Sequence, residues 1–347
     1  MTNQMYPAWN PHRHQDRRAR LILRNTATKT ARMFFEGKNF TEVETGILQV
    51  SPGNETHLHG FATHLIKPDT TIQTLYLHTS PEFACKKLLS AGETRIFTLA
   101  RVFRNREHGA LHSPEFTMLE WYRIKTSYTQ LMDDCIDLIR AIATAIETDQ
   151  LLYKGITCDP FAIPERISVC DAFQLYAEID LSSTFTATQS DCNALAGMAI
   201  SKGVNIAEDD TWSDIFSRIL CQFIEPNLGL GRLTILYDYP IFEAALARPK
   251  PENNALAERF ELYACGVELA NAFGELTDPH VQRERFEADM REKQRIYGET
   301  YPIDEDFLAS LAYMPEACGA ALGFDRLVML LTGASKIDDV IWSGGMD

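Results

Sequence analysis

What this 347-residue chain lacks narrows it first. No stretch approaches the roughly 20 consecutive apolar residues of a membrane-spanning helix. Behind the basic N-terminal MTNQMYPAWNPHRHQDRRARLILR comes no apolar run of signal-peptide length, so neither secretion nor membrane insertion is expected. The eight cysteines include no CxxC pair, which argues against a disulfide frame or a zinc site and for reduced thiols in a cytoplasmic protein. Basic residues are in deficit: 33 Lys plus Arg stand against 48 Asp plus Glu, and the net charge of −15 repels a polyanion, so any nucleic-acid contact must be local. Common catalytic signatures are missing as well. NLGLGR at 227–232 has neither the third glycine of a dinucleotide fingerprint nor a GKS ending, and no GxSxG elbow occurs. His57, His59 and His64, spaced by two and five, match no metal motif. What remains, 45% hydrophobic and 23% charged, is a globular composition able to bury one large core or two modest ones.

Residues 1–16 are polar and read as a flexible N-terminal arm, and 17–347 as a single α+β domain carrying an irregular insertion at 153–240. The pattern at 17–35 is helical and ends at Gly37; 40–50 reads as extended, and SPGNE after it as a turn. Ser80-Pro81 reads as a helix start, serine capping and proline first, running to Gly92. Strands are expected at 95–103 and 115–123, paired antiparallel across a long polar loop, and a helix with an apolar stripe at 129–147. Short helical pieces fall at 168–177 and 211–224. A hairpin turns about Gly266, joining 259–265 to 267–273, and GAALGFDRLVMLLTG reads as a tight strand-to-helix junction.

Period-two geometry puts Phe116, Met118, Glu120 and Tyr122 on one face of their strand, and Asn271, Phe273 and Glu275 side by side on another. Either face alone would be an ordinary half-buried strand; two segments showing the same mixture of acid and aromatic ring point to a binding surface. Arg104 ends the first strand of the pair, Arg326 begins the last helix, and Glu261 and Glu268 bracket the Gly266 turn. Two carboxylates brought close repel by about 1 kcal/mol in water and about 4 at intermediate dielectric, so a cation between them is expected. Magnesium, which favours carboxylate plus phosphate oxygens, would tie these acids to a nucleotide clamped by the two arginines.

Three stretches, in order along the chain, carry a family resemblance. FTEVETGIL resembles motif 1 of the class II aminoacyl-tRNA synthetases, RVFRNREHGALHSPEFTMLEWYR resembles motif 2 and GAALGFDRLVML motif 3. TSPEFACKKLL, HSPEFTMLEWY and GVELANAFGELTD are closest to the lysyl branch, yet the chain opens almost directly into motif 1, leaving no room for the anticodon-binding barrel of a lysyl-tRNA synthetase. A lysyl-type catalytic domain standing alone resembles the elongation factor P-(R)-β-lysine ligase family. The resemblance implies an α+β fold, an antiparallel sheet flanked by helices, in a homodimer. It implies ATP and Mg2+, (R)-β-lysine or lysine as the activated substrate, a lysine of elongation factor P as acceptor, and no role for tRNA. The other outcomes are an adenylating paralogue serving a different acceptor, tRNA included, and a non-catalytic amino-acid sensor.

Residue by residue, the match implies that Arg104 and Arg326 are catalytic and hold ATP phosphates. Asn105, Arg106, Ser113, Glu268, Leu269 and Gly323 complete the nucleotide site, with Phe116 stacked on adenine, and Glu261 and Glu268 bind magnesium. Ser80, Pro81, Glu82, Glu120, Tyr122, Asn271, Phe273 and Glu275 line the amino-acid pocket, where three acids suit a substrate with two ammonium groups. The chain departs from the family pattern at four places. Arg106, followed by Glu107, stands where motif 2 has an acid expected to accept from the adenine amino group. Ala110 replaces a basic loop residue, passing phosphate contact to Arg106 or His108. Ser113 replaces asparagine, and Gly46 the proline of motif 1. Ala321 stands where lysyl-tRNA synthetases have glycine, a difference shared with the ligase family.

Overall fold

The computed structural model describes residues 9–343. Asn10 caps the first helix by accepting from the His12 amide (3.0 Å), and Pro11 takes the first turn, where its missing N–H costs nothing. Helix α1 (Pro11–Gly37) therefore begins inside the expected arm, whose residues 1–8 lie outside the described residues. Its buried Arg17 donates to the Ile341 (2.6 Å) and Trp342 (2.9 Å) carbonyls, and its buried Arg24 pairs with Asp325, so the first helix meets the last of the described residues here.

Next come β1 (Thr41–Glu42), β2 (Leu48–Gln49), β3 (Phe61–Ile66), β4 (Ile72–Leu77), α2 (Glu82–Ser90), β5 (Arg95–Phe103), β6 (Glu115–Ile124) and α3 (Thr129–Ala145). The extended reading of 40–50 thus resolves into two two-residue strands. Helix α2 starts at Glu82 with Pro81 at the cap position, and Ser80 Oγ accepts from the Glu82 amide (3.0 Å). The region after α3 holds β7 (Leu151–Tyr153), β8 (Ile156–Asp159), β9 (Glu165–Ser168), α4 (Val169–Ala172), α5 (Cys192–Ser201), α6 (Trp212–Ile219), β10 (Gly231–Arg232) and β11 (Thr234–Pro240). Then follow β12 (Pro249–Lys250), β13 (Asn253–Ala264), β14 (Val267–Gly274), α7 (Pro279–Tyr297), α8 (Glu305–Leu311), β15 (Ala317–Gly323) and α9 (Phe324–Leu331).

The main sheet runs β1-β5-β6-β15-β14-β13-β11-β9, with β12 attached to β13. Its interior pairs are antiparallel; β1 on β5 and β9 on β11 are parallel edges. Two strands of this sheet come from the stretch expected to be an insertion. The part with its own core is shorter, Val169 to Leu228, and rests on Leu236, Tyr239 and Tyr263 of the sheet. One sheet face is sealed by α1, α3 and α9 against Leu119, Trp121, Phe260, Leu262, Ala270, Ala272, Ala320 and Leu322, all buried. Alternation then sends the intervening residues to the opposite face, whose floor is closed by α2, α7 and α8 through Cys85, Leu89, Phe286 and Phe307. The β13–β14 turn has Cys265 and Gly266 both left-handed (φ 55° and 71°), the two-residue geometry that matches strand twist.

Candidate active site

Register aligns the site in two rows across four strands. Glu261 opposes Asn271, which opposes Ala321, which opposes Glu120. One step along, Arg259 opposes Phe273, then Gly319, then Tyr122. Gly319 has no substitute: a methyl there would lie well inside contact distance of the Tyr122 ring and of Glu275 Oε1. Above these rows lies a cavity of about 330 Å3, with Ser80 and Glu82 among its lining residues as well as Arg104 and Arg326.

The acid-rich end is built in two layers. Glu82 lines the cavity; Glu120 (0% exposed), Tyr122 and Glu275 lie beneath it. Ser80 Oγ donates to Glu120 Oε1 (2.6 Å) and the Tyr122 hydroxyl to Glu120 Oε2 (2.7 Å). Burial, reinforced by the neighbouring Glu82, pushes Glu120 up to about 8 despite these donors. Lys86, itself wholly buried, places its ammonium 2.5 Å from Glu82 Oε1 and 2.6 Å from Glu275 Oε2. Desolvation alone would lower that lysine, but Glu275 and Glu82 outweigh it and the net shift is upward. Glu275 is itself raised by burial, with Lys86 as the largest opposing influence.

The other end presents cations. Arg104 lines the cavity with its guanidinium over the Phe116 ring (5.4 Å) and Nε donating to the Thr79 carbonyl (3.3 Å). Arg326 donates to the Glu268 (3.0 Å) and Leu111 (3.2 Å) carbonyls, and sits 2.7 Å from His112 Nε2. Glu268 is raised by desolvation and then by the charge of Glu261, so the second acid makes the first harder to ionise. Glu261 is held by the hydroxyls of Tyr239 and Tyr263 (2.6 Å each) and by Arg259 (2.5 Å). Two carboxylates on one wall, one of them raised by burial and then by the charge of the other, are a donor set that suits a divalent cation.

Of the residues singled out from sequence, Ser80, Glu82, Arg104, Ser113, Phe116, Glu261, Glu268, Leu269, Asn271, Phe273, Gly323 and Arg326 line this cavity. Glu120, Tyr122 and Glu275 back it, and Pro81 caps α2 outside it. Asn105 and Arg106 do not line it. Arg106 has left-handed backbone (φ 66°), pairs with Glu299 and lies over Tyr297, while Asn105 Oδ1 accepts from the Arg106 amide (2.9 Å). The turn leaves Glu107, not Arg106 or His108, in the cavity wall. His57 and His59 are engaged by Tyr297 and Glu299. Sequence reading missed Lys86, Arg259 and Glu55. Lys86 was findable as the i+4 partner of Glu82, and Arg259 as the i−2 neighbour of Glu261 on one strand face. Glu55 ends the SPGNE turn, whose pattern marks the turn but not where its last side chain points.

The family model for class II tRNA synthetases of the D, K and N type matches residues 4–343. The sheet is thus that of a class II synthetase domain, and the chain is an ATP-dependent ligase. Relatives named elongation factor P-(R)-β-lysine ligase are 40% identical in Klebsiella pneumoniae subsp. pneumoniae over 324 residues (92% of this chain, 93% of the relative) and 38% in Proteus mirabilis over 326 (93% and 94%). One from Haemophilus influenzae is 40% identical over 313 residues, 89% of this chain and 90% of the relative. The chain belongs to the elongation factor P-(R)-β-lysine ligase family.

Proposed function

We propose that this protein activates (R)-β-lysine, or lysine, with ATP as the aminoacyl-adenylate and transfers it to the ε-amino group of a lysine on elongation factor P, acting as a cytoplasmic homodimer. The observation that carries the reading is the opposed charge of the two cavity ends. Glu82, Glu120 and Glu275 against Lys86 leave a formal −2 at one end when all are ionised, which matches two ammonium groups; Arg104 and Arg326 face the other, which suits a triphosphate. The substrate carboxylate then attacks the α-phosphorus in line and pyrophosphate leaves, with no side-chain nucleophile required. Arg104 offsets charge on the transferring phosphoryl group, Phe116 supplies a stacking face for adenine, and Arg326 holds the phosphate tail. Bound magnesium, held by Glu261 and Glu268, would supply charge neutralisation for the pyrophosphate. The net charge of −15 favours a protein acceptor over tRNA.

Mass spectrometry of elongation factor P after incubation with the protein, ATP and each lysine isomer tests this. The expected product is elongation factor P carrying one added β-lysyl group, with tRNA offered in parallel left uncharged; charged tRNA and unmodified factor would reverse the acceptor.

A further inference from the structure

Glu55 is a cavity acid to which the adenylation-and-transfer reading above, on which this inference rests, gives no role. Glu55 lies in the loop between β2 and β3, and this loop is held still by α7. Lys293, wholly buried, collects the carbonyls of Glu55 (3.4 Å), Thr56 (2.9 Å) and Leu58 (2.6 Å), and Thr56 Oγ1 donates to Asp289 Oδ1 (3.1 Å). The half-buried Glu55 side chain lines the cavity, and among the described residues its carboxyl has no hydrogen-bond or ion-pair partner. The other cavity acids differ. Glu82 is engaged by Lys86, Glu261 by Arg259 and two tyrosines, and Glu268 by Arg326 (3.5 Å); Glu107 belongs to the nucleotide end, beside His112.

The charges acting on Glu55 locate it. Arg104 is the strongest attractive one and Glu82 the strongest repulsive one, followed by Asp289 and then Arg259. Glu55 lines the cavity together with Glu82 of the acid end and Arg104 of the cationic end, and the transfer reading puts the activated carboxyl between those two ends. We propose that Glu55 is the general base of the transfer step, taking the proton from the acceptor amine as it attacks the adenylate. The amine nitrogen forms a bond to the acyl carbon, the acyl carbon–oxygen bond to AMP breaks, and AMP leaves with the electron pair. The nitrogen's surplus proton passes to the Glu55 carboxylate and then to cavity water. Burial pushes Glu55 up to about 7, so the basic form fills as pH rises through neutrality.

The test uses the full-length protein, (R)-β-lysine, ATP and elongation factor P. It reads the ratio of single-turnover transfer to β-lysine-dependent pyrophosphate exchange in the wild type, Glu55→Gln and Glu55→Asp. Glu55→Gln is expected to lower that ratio about a hundredfold and to flatten the rise of transfer with pH, with Glu55→Asp recovering part of it. An unchanged ratio, or exchange that falls as far as transfer, overturns the assignment, the second result making Glu55 a substrate ligand. A wild type that exchanges pyrophosphate with neither lysine isomer instead fells the functional reading itself, and this inference with it.

Discussion

The two ends of the cavity are built on opposite plans. At the acid end each acid is already held by a side chain: Lys86 bridges Glu82 and Glu275, and Glu120 takes bonds from the Ser80 and Tyr122 hydroxyls, all at or beneath the cavity floor. At the nucleotide end the guanidiniums of Arg104 and Arg326 rest chiefly on neutral backbone carbonyls, of Thr79, Leu111 and Glu268. A phosphate would bring a full negative charge to guanidiniums that here meet chiefly the partial charge of carbonyl oxygens, so it competes well for them. The acid end is preorganised, its carboxyls fixed by partners of this chain.

The contrast breaks most sharply at Lys86. Lys86→Met removes the only cation bonded to Glu82 and Glu275 among the described residues and leaves two buried acids facing each other, which costs about 3 to 5 kcal/mol of stability in denaturant unfolding. A loss below about 1 kcal/mol would mean that the pair is not ionised in the folded protein. Arg326→Ala should do the reverse, leaving stability nearly unchanged. It is expected to lower kcat/KM for pyrophosphate exchange on the order of 10²- to 10³-fold, about 3 to 4 kcal/mol of transition-state stabilisation. Full exchange activity in that variant would falsify its phosphate role.

How far this contrast was legible beforehand follows from the range of the forces involved. The limits of β5 and the start of β6, the hairpin at Gly266 and the sidedness of Glu120 with Tyr122 are local facts of period two, and the structure has them where they were expected. The start of α1 was equally local, since Asn10-Pro11 is a cap signal, but the polar composition around it masked the signal. Arg17 and Arg24 make those polar turns part of the fold, through partners some 300 residues away that no window can see. The same holds for Glu55, positioned by Lys293 from α7, and for the parallel edge strands, which are too short to announce a partner. Arg106 stands outside the cavity wall and Glu107 within it, and the left-handed backbone at Arg106 has no sequence signature.

The smallest expected effect separates the two ends without disabling either. Glu120 faces Glu82, Glu275 and the Tyr122 hydroxyl, and burial lifts it to about 8, so at neutral pH the empty site holds a proton there. A dication prefers the carboxylate and must expel that proton, so its binding strengthens as pH rises and levels off above about 8. For one group of that pKa, KM for (R)-β-lysine in pyrophosphate exchange should fall roughly eightfold from about pH 7 to about pH 8.5. At the nucleotide end, desolvation and then the Arg326 charge lower His112, so its ring is already neutral over that interval and KM for ATP should stay flat. Glu120→Gln should weaken β-lysine binding and flatten its pH dependence. A variant that keeps the wild-type slope would move the responsible proton to Glu55 or Glu275, the other raised acids at this end.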